Sequence, residues 1–379
     1  MMVLLIITLL LVAMGGLHYR VGFDSMGYEK YFDNLRPLNS ITWKYIDNSR
    51  FAPGFVILAS FTKLFTPEPV LLYFIISGFL CGIATMFFVK NTPRPFFALL
   101  IFYFFVFTLL IFEQIREAVA VGFFLLAWPS FRSNNWLKWY LLSFCAICFH
   151  TSATFMFVLP IILLPGIRKI FTYGKRTWIF MTGVFILAIF LQHRFSKYIE
   201  LLAVTQSMGE LTQKYENTAY VEGNLNIFGM LSMLIKYIFY PAIALVCLHV
   251  SKHRDDIETI PLKLEMMVMV SIYVSLLSIG VPIISRFNNY FFFFPIVIMS
   301  DLVFQKVELH RKRIMMGFAG WMLFFLPMFM AQVYNSYMTQ IDRSGNYRRY
   351  MAYYPYTSYL DKEKNQERIN IIRKSQRRK

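Results

Sequence analysis

Apolar runs long enough to cross a lipid bilayer recur along this chain, and nothing else in it narrows the choice of fold so far. A spanning helix needs about 20 predominantly apolar residues. Runs of this kind occupy Met1–Leu17, Val70–Val89, Pro95–Phe112, Glu117–Phe131, Trp136–Phe149 and Ser152–Ile167, then Thr177–Gln192, Leu225–Val250, Leu264–Ile284, Phe287–Phe304 and Ile314–Val333. Hydrophobic residues make up 57% of the chain and charged ones 16%. Soluble domains have about 45–50% and about 25%, so disorder and a water-soluble enzyme are excluded. In lipid the backbone must satisfy its own hydrogen bonds, and continuous runs of this length then mean helices. The chain is expected to be all-α, a polytopic integral membrane protein with about eleven transmembrane helices. A further apolar stretch, Phe55–Phe65, is short, carries Lys63 and lies between Ala52-Pro53-Gly54 and Pro67-Glu68-Pro69. It is expected to be re-entrant or interfacial.

The basic residues sort the connections into two sides. The short connections Lys90–Pro95, Arg132–Lys138, Arg168–Arg176, Ser251–Lys263 and Gln305–Arg313 hold 15 of the 38 Lys and Arg residues, and short basic loops face the cytoplasm. The outer side then receives the long loops 18–50 and 193–224. The chain divides into a membrane domain over 1–334 and a polar, basic tail over 335–379. That tail carries 11 basic residues, and its side is left open. Met1–Leu17 lacks a basic leading segment and is followed by many more spans, so it reads as a helix rather than a cleaved leader. Asp361–Lys379 is charged and reads as mobile or as a surface helix. Cys145 and Cys148 form a C-x-x-C without a second pair or a His cluster, which reads as packing rather than redox or metal chemistry. No metal-ligand spacing and no cofactor motif is found, and the basic residues are too dispersed for nucleic acid.

Ionisable residues at a membrane edge are costly and therefore candidates for function. Those of this chain share the outer side. After the first run come Arg20, Asp24 and Tyr28, with Gly22 and Gly27 between them. Arg20 could hold a phosphate bidentately and Asp24 could take a proton from a hydroxyl, or the two could form an ion pair that caps a helix. At Glu113-Gln114-Ile115-Arg116-Glu117 two runs meet with almost no loop. Arg116 there suits an anionic headgroup, or a local pair with Glu113. His150, at the corner between two runs, is a proton carrier or a donor to phosphate, or a structural group. Arg286 and Tyr290 lie at another outer corner, Ser285–Tyr290. Lys236 within Leu225–Val250, the aromatic segment Tyr353–Tyr356, and the Glu- and Tyr-bearing loop 193–224 complete the candidates.

These residues resemble a family. Arg20-x-Gly22-x-Asp24-x-x-x-Tyr28, Pro53-Gly54-Phe55, Ile115-Arg116-Glu117-x-x-Ala120 and Phe149-His150-x-Ser152-Ala153 are similar, in order and spacing, to motifs of EpsG-type proteins, which are Wzy-like polysaccharide polymerases. Ser285–Tyr290 and Tyr354–Tyr356 are similar as well. The chain has Arg116-Glu117 where the family commonly has Arg-Gln. The resemblance implies a GT-C-like, metal-independent membrane glycosyltransferase without a cofactor. Its implied seat is the outer face of the bacterial plasma membrane. There it would join undecaprenyl-pyrophosphate-linked oligosaccharide units into capsular, exopolysaccharide or O-antigen chains. Its partners would be that lipid-linked substrate, membrane lipid and a chain-length regulator. Asp24 and His150 are the implied catalytic residues; Arg20, Tyr28, Arg116, Arg286 and Tyr290 are the implied substrate-binding ones. A flippase of lipid-linked saccharide and an acyltransferase acting on the polysaccharide are the alternatives.

Overall fold

A computed structural model describes residues 2–202, 242–249, 260–300, 349–362 and 366–377, and every regular element among them is a helix. The expected runs Leu225–Val250, Phe287–Phe304 and Ile314–Val333, the connections at 251–263 and 305–313, and Lys236 lie wholly or partly outside the described residues. The chain forms two compact units, Met1–Leu164 with Tyr350–Ile372, and Pro165–Arg349 with Arg373–Lys379.

The first unit opens with five helices, of which Met2–Leu17 and Val70–Asn91 match expected apolar runs and two lie within the expected loop 18–50. Helix α1 (Met2–Leu17) is followed by α2 (Ser25–Asn34), α3 (Trp43–Asp47), α4 (Pro53–Thr62) and α5 (Val70–Asn91). Helix α1 lies along α5, and a hydroxyl pair, Thr8 with Thr85 at 2.8 Å, joins them inside the apolar contact. Pro95–Phe112 is a continuous apolar helical run interrupted by one π-helical turn, Tyr103–Phe107; its parts are α6 (Pro95–Phe102) and α7 (Thr108–Phe112). Helices α8 (Ile115–Ser133) and α9 (Trp136–Phe149) form a tight antiparallel pair. Asn134 turns the chain with φ of 59°, and the Asn135 side chain caps α9 by accepting from the Lys138 amide at 3.2 Å.

Among the described residues three helices are long and apolar enough to cross a membrane: Val70–Asn91, Pro95–Phe112 and Leu262–Gly280, of 22, 18 and 19 residues. At about 1.5 Å per residue each matches a hydrocarbon core of about 30 Å. Met2–Leu17, Trp136–Phe149 and Thr177–Leu191 are shorter apolar helices. Ser152–Ile167 becomes a short apolar helix, Thr151–Leu163, that alternates between 3-10 and α turns, followed after Leu164 by the turn Pro165–Arg168. Pro160 and Pro165 explain this, because a proline in a helix interior supplies no amide to the turn before it.

The short stretch after Pro53 is a ten-residue helix, α4, about half the length of a span. Lys63, which follows it, reaches across to α2. The Lys63 ammonium donates to the carbonyl of Phe32 and to that of Asp33 at 2.8 Å, the last carbonyls of α2, where a cation is favoured. The loop 18–50 is accordingly ordered: α2 and α3 bury Tyr28, Phe32, Leu35 and Ile46. The loop expected over 193–224 begins as helix, because Thr177–Leu202 extends past Gln192; the remainder lies outside the described residues.

The tail also has structure. Residues 349–362 return to the first unit, where the Tyr19 amide donates to the Thr357 carbonyl and the Tyr359 amide to the Leu17 carbonyl, at 2.9 and 2.8 Å. This places 350–360 at the same end of α1 as the loop 18–50. Gln366–Arg377 is a helix with Arg368, Ile369, Ile371 and Ile372 buried.

In the second unit the helices Thr177–Leu202 and Leu262–Gly280 pack together. They meet at Gly280, where an added Cβ would lie 1.8 Å from the Ala188 carbonyl oxygen. The backbones cannot meet in this way around any larger residue. Gly280→Ala is expected to force them apart, at a cost of about 1–3 kcal/mol as for other overpacked cores. A fall in the thermal midpoint of the detergent-solubilised protein measures it, and an unchanged midpoint contradicts the packing.

Candidate active site

The motif Arg20–Tyr28 forms one compact turn. Arg20 has φ of 53° and Gly22 φ of 89°, so the chain reverses twice within three residues and starts α2. Gly22 is required on two grounds. Its φ is unfavourable for residues with a Cβ, and a Cβ there would lie 2.6 Å from the Phe112 carbonyl oxygen. The Gly22 amide donates to the Ala352 carbonyl at 2.9 Å, and Ser25 Oγ donates back to the Gly22 carbonyl at 2.6 Å. The glycine thus seats the loop on the last turn of α7, directly before the corner that carries Arg116.

Arg20 does not pair with Asp24. Its fork is bidentate on Glu29, Nε to Oε2 at 2.8 Å and Nη2 to Oε1 at 3.1 Å, with the guanidinium also 5.0 Å from the Tyr19 ring centre. Glu29 is nine residues on, one turn into α2, and it was not among the expected residues. Asp24 precedes α2, and its side chain makes no capping bond to the helix. The carboxylate is half-buried and close enough to Tyr28 for its charge to act on the phenol.

Arg116 stands in the first turn of α8. Its guanidinium lies 4.1 Å from the Phe51 ring centre, and its Nε donates to the Tyr28 hydroxyl at 3.4 Å. Among the described residues no carboxylate pairs with it. Glu113, the local partner the spacing offered, accepts a hydrogen bond from the Tyr353 hydroxyl instead. Tyr28 is buried, which pushes its phenol up from the ordinary value against the pull of Arg116. It therefore stays protonated and can donate while it accepts from the arginine. Glu117 is 2% exposed in the same turn of α8, where the unpaired amides of a helix start favour a carboxylate. Phe51 was not anticipated either. It packs against Tyr31 at 4.3 Å, Phe55 at 5.5 Å and Tyr28 at 6.0 Å, and its place two residues before the Pro53-Gly54-Phe55 motif was the available signal.

That motif joins the Arg116 cluster to the His150 corner. Phe55 is fully buried beside Tyr28, at 6.1 Å. Gly54 sits where a Cβ would lie 2.8 Å from the Cys148 carbonyl. His150 ends α9 in extended backbone, and its Nδ1 accepts the Ser152 amide at 3.2 Å with Ser152 Oγ 2.5 Å away. A backbone amide can only donate, so Nδ1 carries the lone pair and neutral His150 holds its proton on Nε2. In this form the ring presents a donor rather than a base. Cys145 and Cys148 form no disulfide.

Arg286 and Tyr290 belong to the second unit. Arg286 is half-buried in the turn Pro282–Phe287. Tyr290, expected at the substrate, is fully enclosed in the helical turn Asn288–Phe291. Its ring fills the interior because Asn288 anchors this turn to the Leu262–Gly280 helix, accepting from Ser275 Oγ at 3.0 Å and reaching Ser278 Oγ at 3.4 Å.

The four motifs whose residues drew the comparison are therefore neighbours in the first unit. A family model for the EpsG family matches residues 1–358. The chain belongs to the EpsG family. This is a Wzy-like polymerase family, so the chain has a polysaccharide-polymerase-like role and resides in a membrane. No curated protein and no solved structure compared with it matches.

Two outcomes test this geometry. Gly22→Ala is expected to abolish polymer formation while the protein still inserts, because the loop can no longer rest on Phe112; retained chain length contradicts it. The second concerns His18, which is 1% exposed, stacks on Tyr73 at 4.3 Å and bonds the Gly15 carbonyl at 2.5 Å. Burial lowers its pKa from 6.5 to about 4, with the Gly15 bond opposing. Between those values the unfolded chain binds a proton that the folded chain refuses. Stability is therefore flat above pH 6.5 and falls by about 1.4 kcal/mol per unit as pH drops toward 4. In His18→Asn this slope should vanish, read from melting midpoints across pH.

Proposed function

We propose that this chain polymerises undecaprenyl-pyrophosphate-linked oligosaccharide repeat units at the outer face of the bacterial plasma membrane. On this reading it is a multi-pass, GT-C-like glycosyltransferase that makes capsular, exopolysaccharide or O-antigen chains. The observation that carries the reading is Arg116: a guanidinium over an aromatic ring at 4.1 Å, tied to a phenol, and paired with no carboxylate among the described residues. Such a cation keeps its charge to attract an anion.

The reaction follows from these groups. An acceptor hydroxyl of one lipid-linked unit attacks the anomeric carbon of the growing chain. The bond from that carbon to the pyrophosphate oxygen breaks, and the electron pair leaves with undecaprenyl pyrophosphate. Arg116 meets the charge that develops on the leaving group, with Tyr28 donating beside it, so no metal ion is needed for that task. Asp24 accepts the proton of the attacking hydroxyl. His150, with Nδ1 occupied, donates from Nε2 to a phosphate or sugar oxygen. Arg20 is engaged by Glu29 and holds the loop that carries Asp24. A chain-length regulator is the candidate protein partner.

Arg116→Ala is expected to lower polymer formation at least 100-fold, the usual effect of losing one transition-state charge contact. Arg116→Lys should recover part of it. Lipid-linked single units should accumulate outside the membrane. Their accumulation inside would indicate a flippase, and normal chain length with missing acyl groups an acyltransferase; either result overturns the assignment.

A further inference from the structure

Arg368 is 1% exposed, a burial that arginine accepts only where its donors are met. It lies beyond residues 1–358 that match the family, on the helix Gln366–Arg377. Three of its donor nitrogens reach one segment. Nε donates to the Met351 carbonyl at 3.4 Å, Nη2 to the Pro355 carbonyl, and Nη1 to Thr357 Oγ1. One planar fork thus spans both ends of the loop 351–357 and fixes its shape.

That loop holds the site. Thr357 Oγ1, while accepting from Arg368, donates to the Tyr19 carbonyl at 2.5 Å. The Thr357 carbonyl takes the Tyr19 amide, the Ala352 carbonyl takes the Gly22 amide, and Tyr353 reaches Glu113. Every one of these contacts falls on the turn that carries Arg20 and Asp24 or on the corner that carries Arg116. The path is short: guanidinium, threonine hydroxyl, Tyr19 carbonyl, and then the Arg20 backbone at φ of 53°.

We propose that Arg368 is a positioning residue for polymerisation, which clamps residues 351–357 against the Tyr19–Gly22 turn and the Glu113–Arg116 corner so that Asp24 and Arg116 hold their places. The functional half of this rests on the polymerase reading above; the structural half does not. A lysine can satisfy one of the three oxygens but cannot span them, and an apolar side chain of similar length satisfies none.

Hydrogen exchange on the full-length protein in lipid nanodiscs, compared with polymerisation of a purified undecaprenyl-pyrophosphate-linked oligosaccharide, tests it. In the wild type the amides of Tyr19, Gly22 and Tyr359 should exchange slowly. In Arg368→Met, peptides covering 17–24 and 350–360 should exchange at least 10-fold faster, with those covering α5 and α9 unchanged. Polymer formation should drop at least 10-fold with the amount of inserted protein unchanged, and Arg368→Lys should recover part of both. Tyr353→Phe, which removes the Glu113 bond alone, should reduce polymer formation while leaving the 17–24 amides protected. Unchanged exchange in Arg368→Met overturns the clamp. Faster exchange with full polymerisation overturns the positioning role. A wild-type protein that binds the substrate without polymerising it defeats the polymerase reading, and the exchange result still decides the clamp.

Discussion

Where a chain leaves an apolar helix and turns before starting the next, its amides lose their helical partners, and next to lipid no water replaces them. Residues 17–22 are in that position, and residues 352–359 supply what they lack through the bonds of Tyr19, Gly22 and Tyr359. The rest of the site depends on this exchange. It permits the two left-handed residues, Arg20 and Gly22, which deliver Asp24 to the head of α2 and Glu29 to the Arg20 fork. It also presses the turn against Phe112, so that α2 arrives with Tyr28 facing Arg116. Without those bonds the turn would have to close on itself, and neither arginine would have its present neighbours.

The two arginines of the first unit show how surroundings decide what a charge can do. Arg20 is neutralised by a bidentate carboxylate, so an approaching anion meets a pair with little net charge. Arg116 rests on a ring face and a phenol, which hold its orientation without cancelling its charge. At an effective dielectric of 20, a full charge 4 Å away is worth about 4 kcal/mol. That difference in neighbours, rather than anything in the side chains themselves, separates a cation that keeps its net charge from one held in a bidentate pair.

Sequence and structure agree best where a single local signal governs. Helix α9 ends where it was read, at Trp136 and Phe149, because Asn135 caps it and His150 leaves in extended backbone. The run after Ser152 was legible as apolar, but its prolines outweighed its hydrophobicity. The helices within 18–50 were missed because they are short and carry charges, so their buried apolar faces, Tyr28 and Phe32 in α2 and Ile46 in α3, are one or two residues rather than a long periodic pattern. Asp24, Tyr28 and Arg116 were singled out as candidates by residue type at a membrane edge. Their partners were not, because Glu29 comes opposite Arg20 only after the chain has turned, and Tyr353 meets Glu113 across 240 residues. Contacts of that separation leave no trace in local pattern.

The bond between Thr357 and Tyr19 joins residues 338 apart. At about 5–20 residues per second, a ribosome that has released the Tyr19 turn needs roughly 20–70 s more to make its partner. Through that interval the turn has no threonine to hold its carbonyl and no Ala352 to take the Gly22 amide. Helices α1 to α9 can insert and pack, but the place where two sugar chains would be joined stays unassembled until residues 352–357 emerge. Insertion and competence are therefore separate events in the life of this protein, and the order of translation sets the delay between them.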